Sequence, residues 1–262
     1  MVFHGRATGI SQDDDLSLCG GEGCVLGVLL TDLDFPAENE FASGVVDWAR
    51  SRDVTIVLFP GGPLHSQTAR NAVFRLASDT WLDGLMMSPF LRHLVSEEEM
   101  MRFCERYAPL PIVMGATGFE GIPHVRVDSF GGMRDVVSHL IESHHLRRIV
   151  FITGPKGDTE AEDRYQAYET ALRDHDLKVD PDLVVPGNFM EASGASAVRG
   201  LLDAHVSFDA VVGANDAMAA GAYSVLRDRG LNVPEDVALA GFDDAPDLRA
   251  SLSLTTARQS FY

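Results

Sequence analysis

The sequence predicts an α/β protein with two lobes, each built on a parallel β-sheet. From Val25 onward, short apolar runs alternate with longer amphipathic runs, which is typical of buried strands connected by helices. The number of these segments exceeds what one open sheet usually accommodates, and a chain of 262 residues is long enough for two hydrophobic cores. The segment 108–130 holds two predicted strands with no helix between them, which marks the crossing between the lobes. A single barrel is the competing architecture, but the uneven spacing of the segments disfavours it.

The first lobe is predicted to contain both buried strands and amphipathic helices. Val25–Leu30 and Val54–Phe59 are predicted as strands because apolar residues follow one another without polar alternation, and the second run is rich in β-branched residues. Further strands are predicted at Leu82–Met87, Ile112–Met114 and His124–Val127. Amphipathic spacing predicts helices over Glu38–Arg50, Gln67–Leu76 and Glu97–Tyr107.

The second lobe repeats the alternation with clearer helix signals. A helix is predicted over Glu160–Arg173 because Ala161, Tyr165, Tyr168 and Leu172 fall on one stripe. The other predicted helices are Gly132–Ser143, Ser193–Asp203 and Ala217–Arg229, the last of them ending at the C-cap glycine Gly230. Strands are predicted at Arg148–Thr153, Leu183–Val185, Ala210–Gly213 and Val237–Gly241.

Composition sets the predicted domain limits. Residues 1–24 are rich in Gly, Ser and Asp, so we expect a flexible arm there. The N-terminal α/β lobe is then predicted over residues 25–127 and the C-terminal α/β lobe over residues 128–254.

The charge balance argues against two classes of partner. The chain has 21 Lys and Arg against 39 Asp and Glu, a net charge of −18. Binding nucleic acid or an anionic membrane requires a basic face, so we expect this chain itself to bind neither. No early apolar run is long enough to span a membrane, and no secretory signal is evident. Cys19, Cys24 and Cys104 show no CxxC or zinc spacing, which predicts reduced thiols and a cytoplasmic protein.

Polar side chains follow three strands of the second lobe. Ligands of open parallel sheets bind beyond the carboxyl ends of the strands. Arg164 lies in the first turns of the helix after one strand, Asn215 follows the next strand, and Asp243 follows the last. A guanidinium, an amide and a carboxylate together suit a polyhydroxylated small molecule. Other roles remain open: Asn215 or Asp216 as a helix cap, Asp243 in a turn, and Arg164 in a surface ion pair.

Catalytic motifs are weak by comparison. Asp32 and Asp34 form a DxD pair of the kind that holds a divalent ion in sugar-nucleotide transferases, but the motif is short and common. His144 and His145 are adjacent at a helix end and point apart, so favourable charge at a helix C-terminus explains them more simply than metal binding. The sequence has no G-x-S-x-G, no Walker loop and no G-x-G-x-x-G. We therefore expect no catalysis, no cofactor and no metal.

Residues 127–259 carry motifs that resemble the effector-binding core of the LacI/GalR (lactose-repressor and galactose-repressor) family. The matching pieces, in order, are Arg148-Ile149-Val150-Phe151-Ile152-x-Gly154, Arg164-x-x-Ala167-Tyr168, Phe208-Asp209-Ala210-Val211-Val212-x-Ala214-Asn215-Asp216, Gly230-x-x-Val233-Pro234-Glu235-Asp236-Val237-Ala238, Gly241-Phe242-Asp243-Asp244 and Leu254-Thr255-Thr256-x-Arg258-Gln259. The first lobe matches more loosely, at 27–30 and 82–87.

The resemblance implies a periplasmic-binding-protein fold of type I, with two Rossmann-like lobes and a ligand in the cleft between them. It implies that Arg164 grips sugar-type hydroxyls and that Asn215 and Asp243 bond others. It also implies that Phe189 stacks on the ligand and that Phe242 lines the same wall.

Four departures accompany the resemblance. Residues 1–24 are too short and too acidic to be the helix-turn-helix headpiece of the family's regulators. Gly115 stands where many members carry a polar side chain, and Ser251-Leu252-Ser253 replaces the usual proline pair. Family members continue beyond Phe261-Tyr262, so residues 255–262 are expected to be a truncated return crossover and the C-terminal part of the fold to be missing.

The expected function is that of a sensing domain for a sugar or polyol. The output module of the full-length protein is expected to bind DNA or to signal in another way, and a homodimer is one open assembly. The alternatives are a free solute-binding protein for transport and, as an enzyme, a sugar-nucleotide transferase.

Overall fold

The computed structural model describes residues 2–4, 7–8, 23–66, 68–92, 95–115, 121–249 and 251–259. It divides into two compact units. The unit called N-terminal below is built from Ala7–Arg126. The unit called C-terminal is built from Val127 onward together with the first strand of the chain, β1 (Val2–His4).

The N-terminal unit is a parallel sheet with helices. Within the described residues its strands are β2 (Ala7–Thr8), β3 (Val25–Leu30), β4 (Thr55–Pro60), β5 (Gly84–Met87), β6 (Ile112–Gly115) and β7 (His124–Val127), in the order β2-β7-β6-β5-β3-β4. Its α-helices are α1 (Pro36–Arg50) and α2 (Glu97–Glu105), and 3-10 turns cover Leu64–Ser66, Ala69–Leu76 and Pro89–Arg92. The pairs β3–β4, β3–β5, β5–β6 and β6–β7 are all parallel.

Strand β3 is buried on both faces, as its unbroken apolar run predicted. Val28 and Leu30 pack with Ala42 and Val45 of α1 on one face. Leu29, which points the other way, packs in a separate core. The partners of that core include Phe74, Met87, Phe103 and Met114.

The predicted helix Gln67–Leu76 differs in kind: the described part, Ala69–Leu76, is a 3-10 helix. Its N-cap residue Thr68 makes no side-chain capping bond. The Tyr107 hydroxyl donates to the carbonyl of Phe74 at 3.1 Å, which provides that carbonyl with a partner outside the segment. Tertiary contacts, rather than helix periodicity, therefore decide this conformation.

The C-terminal unit is a second parallel sheet. Its remaining described strands are β8 (Ile149–Ile152), β9 (Val184–Val185), β10 (Ala210–Gly213), β11 (Ala238–Asp243) and β12 (Thr255–Arg258), in the order β1-β12-β11-β10-β8-β9. Its described helices are α3 (Ser129–His144), α4 (Thr159–Asp174), α5 (Glu191–Asp203), α6 (Asp216–Asp228) and α7 (Pro246–Arg249), with a 3-10 turn at Pro181–Leu183. Strands β8 and β10 are buried along their whole length.

Two ends of the chain depart from the predicted domain limits. The flexible arm predicted over residues 1–24 is wrong at Val2–His4, which pairs in parallel with Thr256–Arg258. This pairing gives edge backbone groups of β12 hydrogen-bond partners. The rest of that arm up to residue 22, apart from Ala7–Thr8, lies outside the described residues.

Within the predicted crossover at 255–262, the described residues Thr255–Arg258 form strand β12 of this sheet. Thr256 and Ala257 are buried there. Strand β11 runs two residues beyond its predicted end at Gly241, and Phe242 pairs with Ala257. Residues 260–262 lie outside the described part of the chain.

Helices α5 and α6 approach closely where both carry glycine. A Cβ atom on Gly194 would collide with the carbonyl of Met218, and one on Gly221 would collide with the carbonyl of Glu191. Gly115, in the other unit, is required by a similar contact, since a Cβ there would lie 2.8 Å from Cδ of Pro89.

Cysteine use differs from the prediction of reduced thiols. Cys24 is bonded in a disulfide, which an odd cysteine count permits, while Cys104 is free and buried with its Sγ 3.8 Å from Sδ of Met87. Among the helices of the described segments, none combines the length and the apolar character that crossing a bilayer requires.

Candidate functional site

The candidate site lies at the carboxyl ends of the strands in the C-terminal unit. Strand β8 is followed by α4, and β10 is followed directly by α6. In the order β9-β8-β10-β11, the connection from β8 leads to β9 on one side of β8, and the next connection returns from β9 to β10 on the other side. This switch point is where open parallel sheets bind their ligands.

Arg164 projects from α4 into this edge and is held by three hydrogen bonds. Nη1 donates to the carbonyl of Ala214 at 2.8 Å, Nε donates to Oγ of Ser129 at 3.3 Å, and Nη2 donates to Oε2 of Glu160 at 3.1 Å. Only 3% of its side-chain surface is exposed. Since a guanidinium has five N–H groups, one N–H on each Nη makes no hydrogen bond within the described residues.

Two aromatic rings border the guanidinium. Its Cζ lies 4.0 Å from the ring centroid of Phe242 and 5.8 Å from that of Phe189, both within range of a cation–π interaction. The Phe242 ring has no exposed surface, so its place is beneath Arg164 and not on the predicted ligand-facing wall. Gly132 makes room for it, since a Cβ there would lie 2.9 Å from Cε2 of Phe242.

Asp243 lies beside Arg164 at the end of β11. Its Oδ1 accepts a hydrogen bond from Nε2 of Gln259 at 2.7 Å and lies 3.8 Å from Nη1 of Arg164. Its φ of 122° is one that only glycine adopts readily. Burial raises the pKa of the Asp243 carboxyl, and Arg164 opposes that rise. Its side chain is 30% exposed, so it remains reachable for a hydroxyl.

Asn215 is a helix cap, one of the roles that the sequence left open. Its Oδ1 accepts from the backbone N–H of Met218 at 3.0 Å at the start of α6, and its Nδ2 donates to the carbonyl of Phe189 at 3.0 Å. Phe189 has a φ of 67°, the left-handed region. Asn215 therefore joins α6 to the backbone of Phe189 and orients that ring.

The structure brings four of the five predicted residues into one cluster, with Asn215 attached through Phe189. Sequence reasoning missed Ser129, Glu160 and Gln259, which hold Arg164 and Asp243. The sequence could have identified Glu160, because it precedes Arg164 by four residues and so lies on the same helix face. No sequence pattern identifies Ser129 or Gln259, since each is far in sequence from the residue that it contacts.

A buried network fixes the loop after β11. Asp216 Oδ1 accepts from Oγ1 of Thr256 at 2.7 Å and its Oδ2 accepts from the backbone N–H of Ala245 at 2.9 Å. Asp244 Oδ2 accepts from Nε of Arg258 at 2.6 Å. Burial raises the pKa of Asp216 to about 6, although its hydrogen bonds with Ala245 and Thr256 lower it. The network ties α6, β12 and the Asp243 loop into one piece.

The DxD pair does not have the surroundings of a metal site. Asp32 accepts from the backbone N–H of Asp34 at 3.2 Å and from Nη1 of Arg70 at 2.8 Å, and these bonds lower its pKa. Within the part of the chain that the structure describes, no group of three or more His, Cys, Asp or Glu side chains could hold a metal ion.

The N-terminal unit contains a buried carboxyl group that the sequence did not reveal. Glu38, in the first turn of α1, has no exposed surface. Its Oε1 accepts from the backbone N–H of Thr31 at 2.7 Å and from its Oγ1 at 2.6 Å, whereas Oε2 has no hydrogen-bond partner within the described residues. Burial raises the pKa of Glu38 above 4.5. The folded unit therefore makes Glu38 easier to protonate than an exposed glutamate.

Glu38→Gln is expected to stabilise the protein at pH 8 and to have less effect near pH 5. Because the folded pKa is raised, the contribution of Glu38 to stability is fully present below about 4.5 and is lost as the pH rises through the folded pKa. Each pKa unit of that rise is worth about 1.4 kcal/mol. Urea unfolding at both pH values measures the difference, and Glu40→Gln on the same helix is the control. Equal pH dependence in wild type and Glu38→Gln would contradict the interpretation.

Comparison with known proteins gives one family. Residues 137–261 match the sequence profile of the periplasmic binding protein-like domain. The HTH-type transcriptional regulator CelR of Thermobifida fusca is 42% identical over 126 residues, which is 48% of this chain and 37% of CelR. The chain thus spans little more than a third of the length of that curated relative.

Solved structures agree over most of the chain. A LacI-family transcriptional regulator from Sanguibacter keddieii is 31% identical, with a TM-score of 0.66 over 89% of this chain and 82% of that one. The complex of the transcriptional regulator CelR with cellobiose is 28% identical, with a TM-score of 0.72 over 90% of this chain and 73% of that one. These likenesses extend beyond the C-terminal unit.

Proposed function

The chain belongs to the LacI family, and from this premise we propose that it is the effector-sensing domain of a transcriptional regulator whose effector is a sugar. The cellobiose complex of CelR supports the ligand class, and the predominance of regulators among the relatives supports the output. The proposal assigns DNA binding or other signalling to an output module and leaves no catalysis to this domain. It places the protein in the cytoplasm, where transcription occurs, and allows for a homodimer.

The observation that carries the proposal is the guanidinium of Arg164, which protein hydrogen bonds orient but do not saturate. Three fixed hydrogen bonds orient it, and the N–H left on each Nη can donate as a pair to vicinal hydroxyls. Asp243 beside it can accept from a hydroxyl. Because these groups are already in position, ligand binding does not have to order them first, and the lower entropy cost favours affinity.

Phe189 is proposed to supply the apolar contact. Its ring lies 5.8 Å from Cζ of Arg164, and its backbone is held by Asn215. Sugar rings have a face of C–H groups that packs well against an aromatic ring, while their hydroxyls need the polar groups alongside. The combination of one ring, one guanidinium and one carboxylate fits such a ligand better than it fits a purely apolar one.

A panel of mono- and disaccharides tests the proposal by thermal unfolding. The effector is expected to raise the melting temperature, since a ligand at a hundred times its Kd adds about 2.7 kcal/mol to stability. Chromatography of the sugar after incubation is expected to find it unchanged. Absence of a shift with every sugar and polyol would contradict the proposal, and conversion of the sugar would favour the transferase alternative. Neither a transport protein nor a transferase is favoured by the relatives found.

A further inference from the structure

A cavity of about 410 Å³ lies at the ends of the C-terminal strands that are opposite to the ends near Arg164. It is lined by Ile149, the first residue of β8. Arg164 contacts Ala214, which follows the last residue of β10. Since β8 and β10 are parallel, the cavity is at their amino ends and is separate from the proposed sugar site.

Three basic residues border this cavity. Arg148 is held in place, because its Nε donates to the carbonyl of Ser207 at 2.8 Å and its Nη1 lies 3.6 Å from Oδ2 of Asp180. Arg147 and Lys178 also line the cavity, and the side chain of neither makes a hydrogen bond or ion pair with any residue that the structure describes. In a chain with a net charge of −18, two such cations beside one cavity are unexpected.

Hydrogen bonds within the protein hold the walls of the cavity in place. The backbone N–H groups of Arg147 and Arg148 both donate to Oδ2 of Asp209, at 2.9 Å each. The buried Tyr168 hydroxyl donates to the carbonyl of Ile149 at 2.9 Å. Leu172 and Leu183 are buried in the same wall. The lining therefore combines buried apolar side chains with a basic rim.

We infer that this cavity binds a small organic phosphate, with Arg147 and Lys178 contacting the phosphate group. Among the residues that line the cavity, the three cations and the carboxylate of Asp180 have a formal charge of +2, which is opposite in sign to the charge of about −2 on a phosphate monoester at neutral pH. The guanidinium of Arg147 can pair with two phosphate oxygens, and Lys178 adds a point charge. The volume suits a small metabolite, whereas the acidic chain as a whole repels a polyanion such as DNA.

Calorimetric titration of the full chain in 0.15 M salt tests this inference with 3-phosphoglycerate, inorganic phosphate and D-glycerate. None of these probes is a sugar, so failure of the sugar proposal would not affect the result. The double variant Arg147→Gln with Lys178→Gln removes the two unpaired cations. Its matched control is Arg199→Gln with Arg227→Gln, which removes two exposed charges of the same unit that do not line the cavity.

Saturable binding of 3-phosphoglycerate is expected for the wild type and for the control variant. The cavity variant is expected to bind about tenfold more weakly or worse, and D-glycerate is expected to bind the wild type more weakly by a similar factor. No saturable binding of either phosphate compound by the wild type would overturn the inference. Equal losses in the cavity and control variants would also overturn it, because only the general field would then be responsible. All four substitutions are at exposed positions, and thermal unfolding without ligand checks that each variant is folded.

Discussion

Replacing Arg164 with alanine is expected to weaken sugar binding by roughly ten- to a hundredfold, since each charge-assisted hydrogen bond is worth about 1.5–3 kcal/mol. The change removes both N–H groups that the proposed site offers to hydroxyls. It also removes the donor to the carbonyl of Ala214 and to the carboxylate of Glu160, while Asp243 loses a neighbouring charge but keeps its bond from Gln259. Calorimetric titration with the effector found in the sugar panel measures the loss of affinity.

The same substitution is expected to lower stability by about 2–4 kcal/mol, because it removes one member of a buried, hydrogen-bonded ion pair. This cost follows from the structure: the sequence allowed an exposed arginine, but the side chain is 3% exposed and lies over Phe242. Arg173→Ala is the control, since Arg173 is an exposed arginine of the same helix. Titrations are performed well below the melting temperature of every variant, so that unfolding does not imitate lost binding.

Arg164→Lys distinguishes geometry from charge. A lysine retains the positive charge near Asp243 but cannot reproduce the three directed bonds to Ser129, Ala214 and Glu160. We expect it to bind sugar nearly as poorly as the alanine variant. Wild-type affinity in the lysine variant would mean that charge alone is needed, and unchanged affinity in the alanine variant would remove Arg164 from the site.

The buried strands of both units could be predicted because apolar content alone defines them. The strands β3, β8 and β10 are buried and read as unbroken apolar runs in the sequence. Strands β1 and β12 could not be predicted in this way. β12 contains two threonines and an arginine, and its strand conformation depends on neighbours on both sides, β1 and β11.

The candidate site could be predicted only in part from the sequence, for a related reason. Position after a strand identified Arg164, Asn215 and Asp243, because the carboxyl ends of parallel strands converge. The role of each side chain depends on contacts that sequence order does not contain. Phe242 is buried under a guanidinium 78 positions away in sequence. Asn215 uses both the oxygen and the nitrogen of its side-chain amide in bonds to other parts of the protein.

Gly194→Ala is expected to destabilise the C-terminal unit by about 3 kcal/mol, a large effect for one methyl group. The Cβ would collide with the carbonyl, carbon and Cα atoms of Met218, which belong to the backbone of α6. A side chain could rotate away from such a collision, but a helix backbone can yield only if α5 and α6 separate. Gly221 forms the reciprocal contact with Glu191 of α5, so Gly221→Ala is expected to have a similar effect.

The control for Gly194→Ala is in the same helix. A Cβ on Gly200 meets nothing within 4 Å, and alanine is favoured over glycine in a helix, so Gly200→Ala is expected to stabilise the protein by about 0.5–1 kcal/mol. Urea unfolding of the three variants beside the wild type measures both signs, with the far-ultraviolet circular dichroism of the helices as the signal. If Gly194→Ala and Gly200→Ala changed stability alike, helix propensity would be the only effect at work, and the close approach of α5 to α6 would not occur in solution. Opposite signs are expected because one glycine is required by a backbone contact and the other is not.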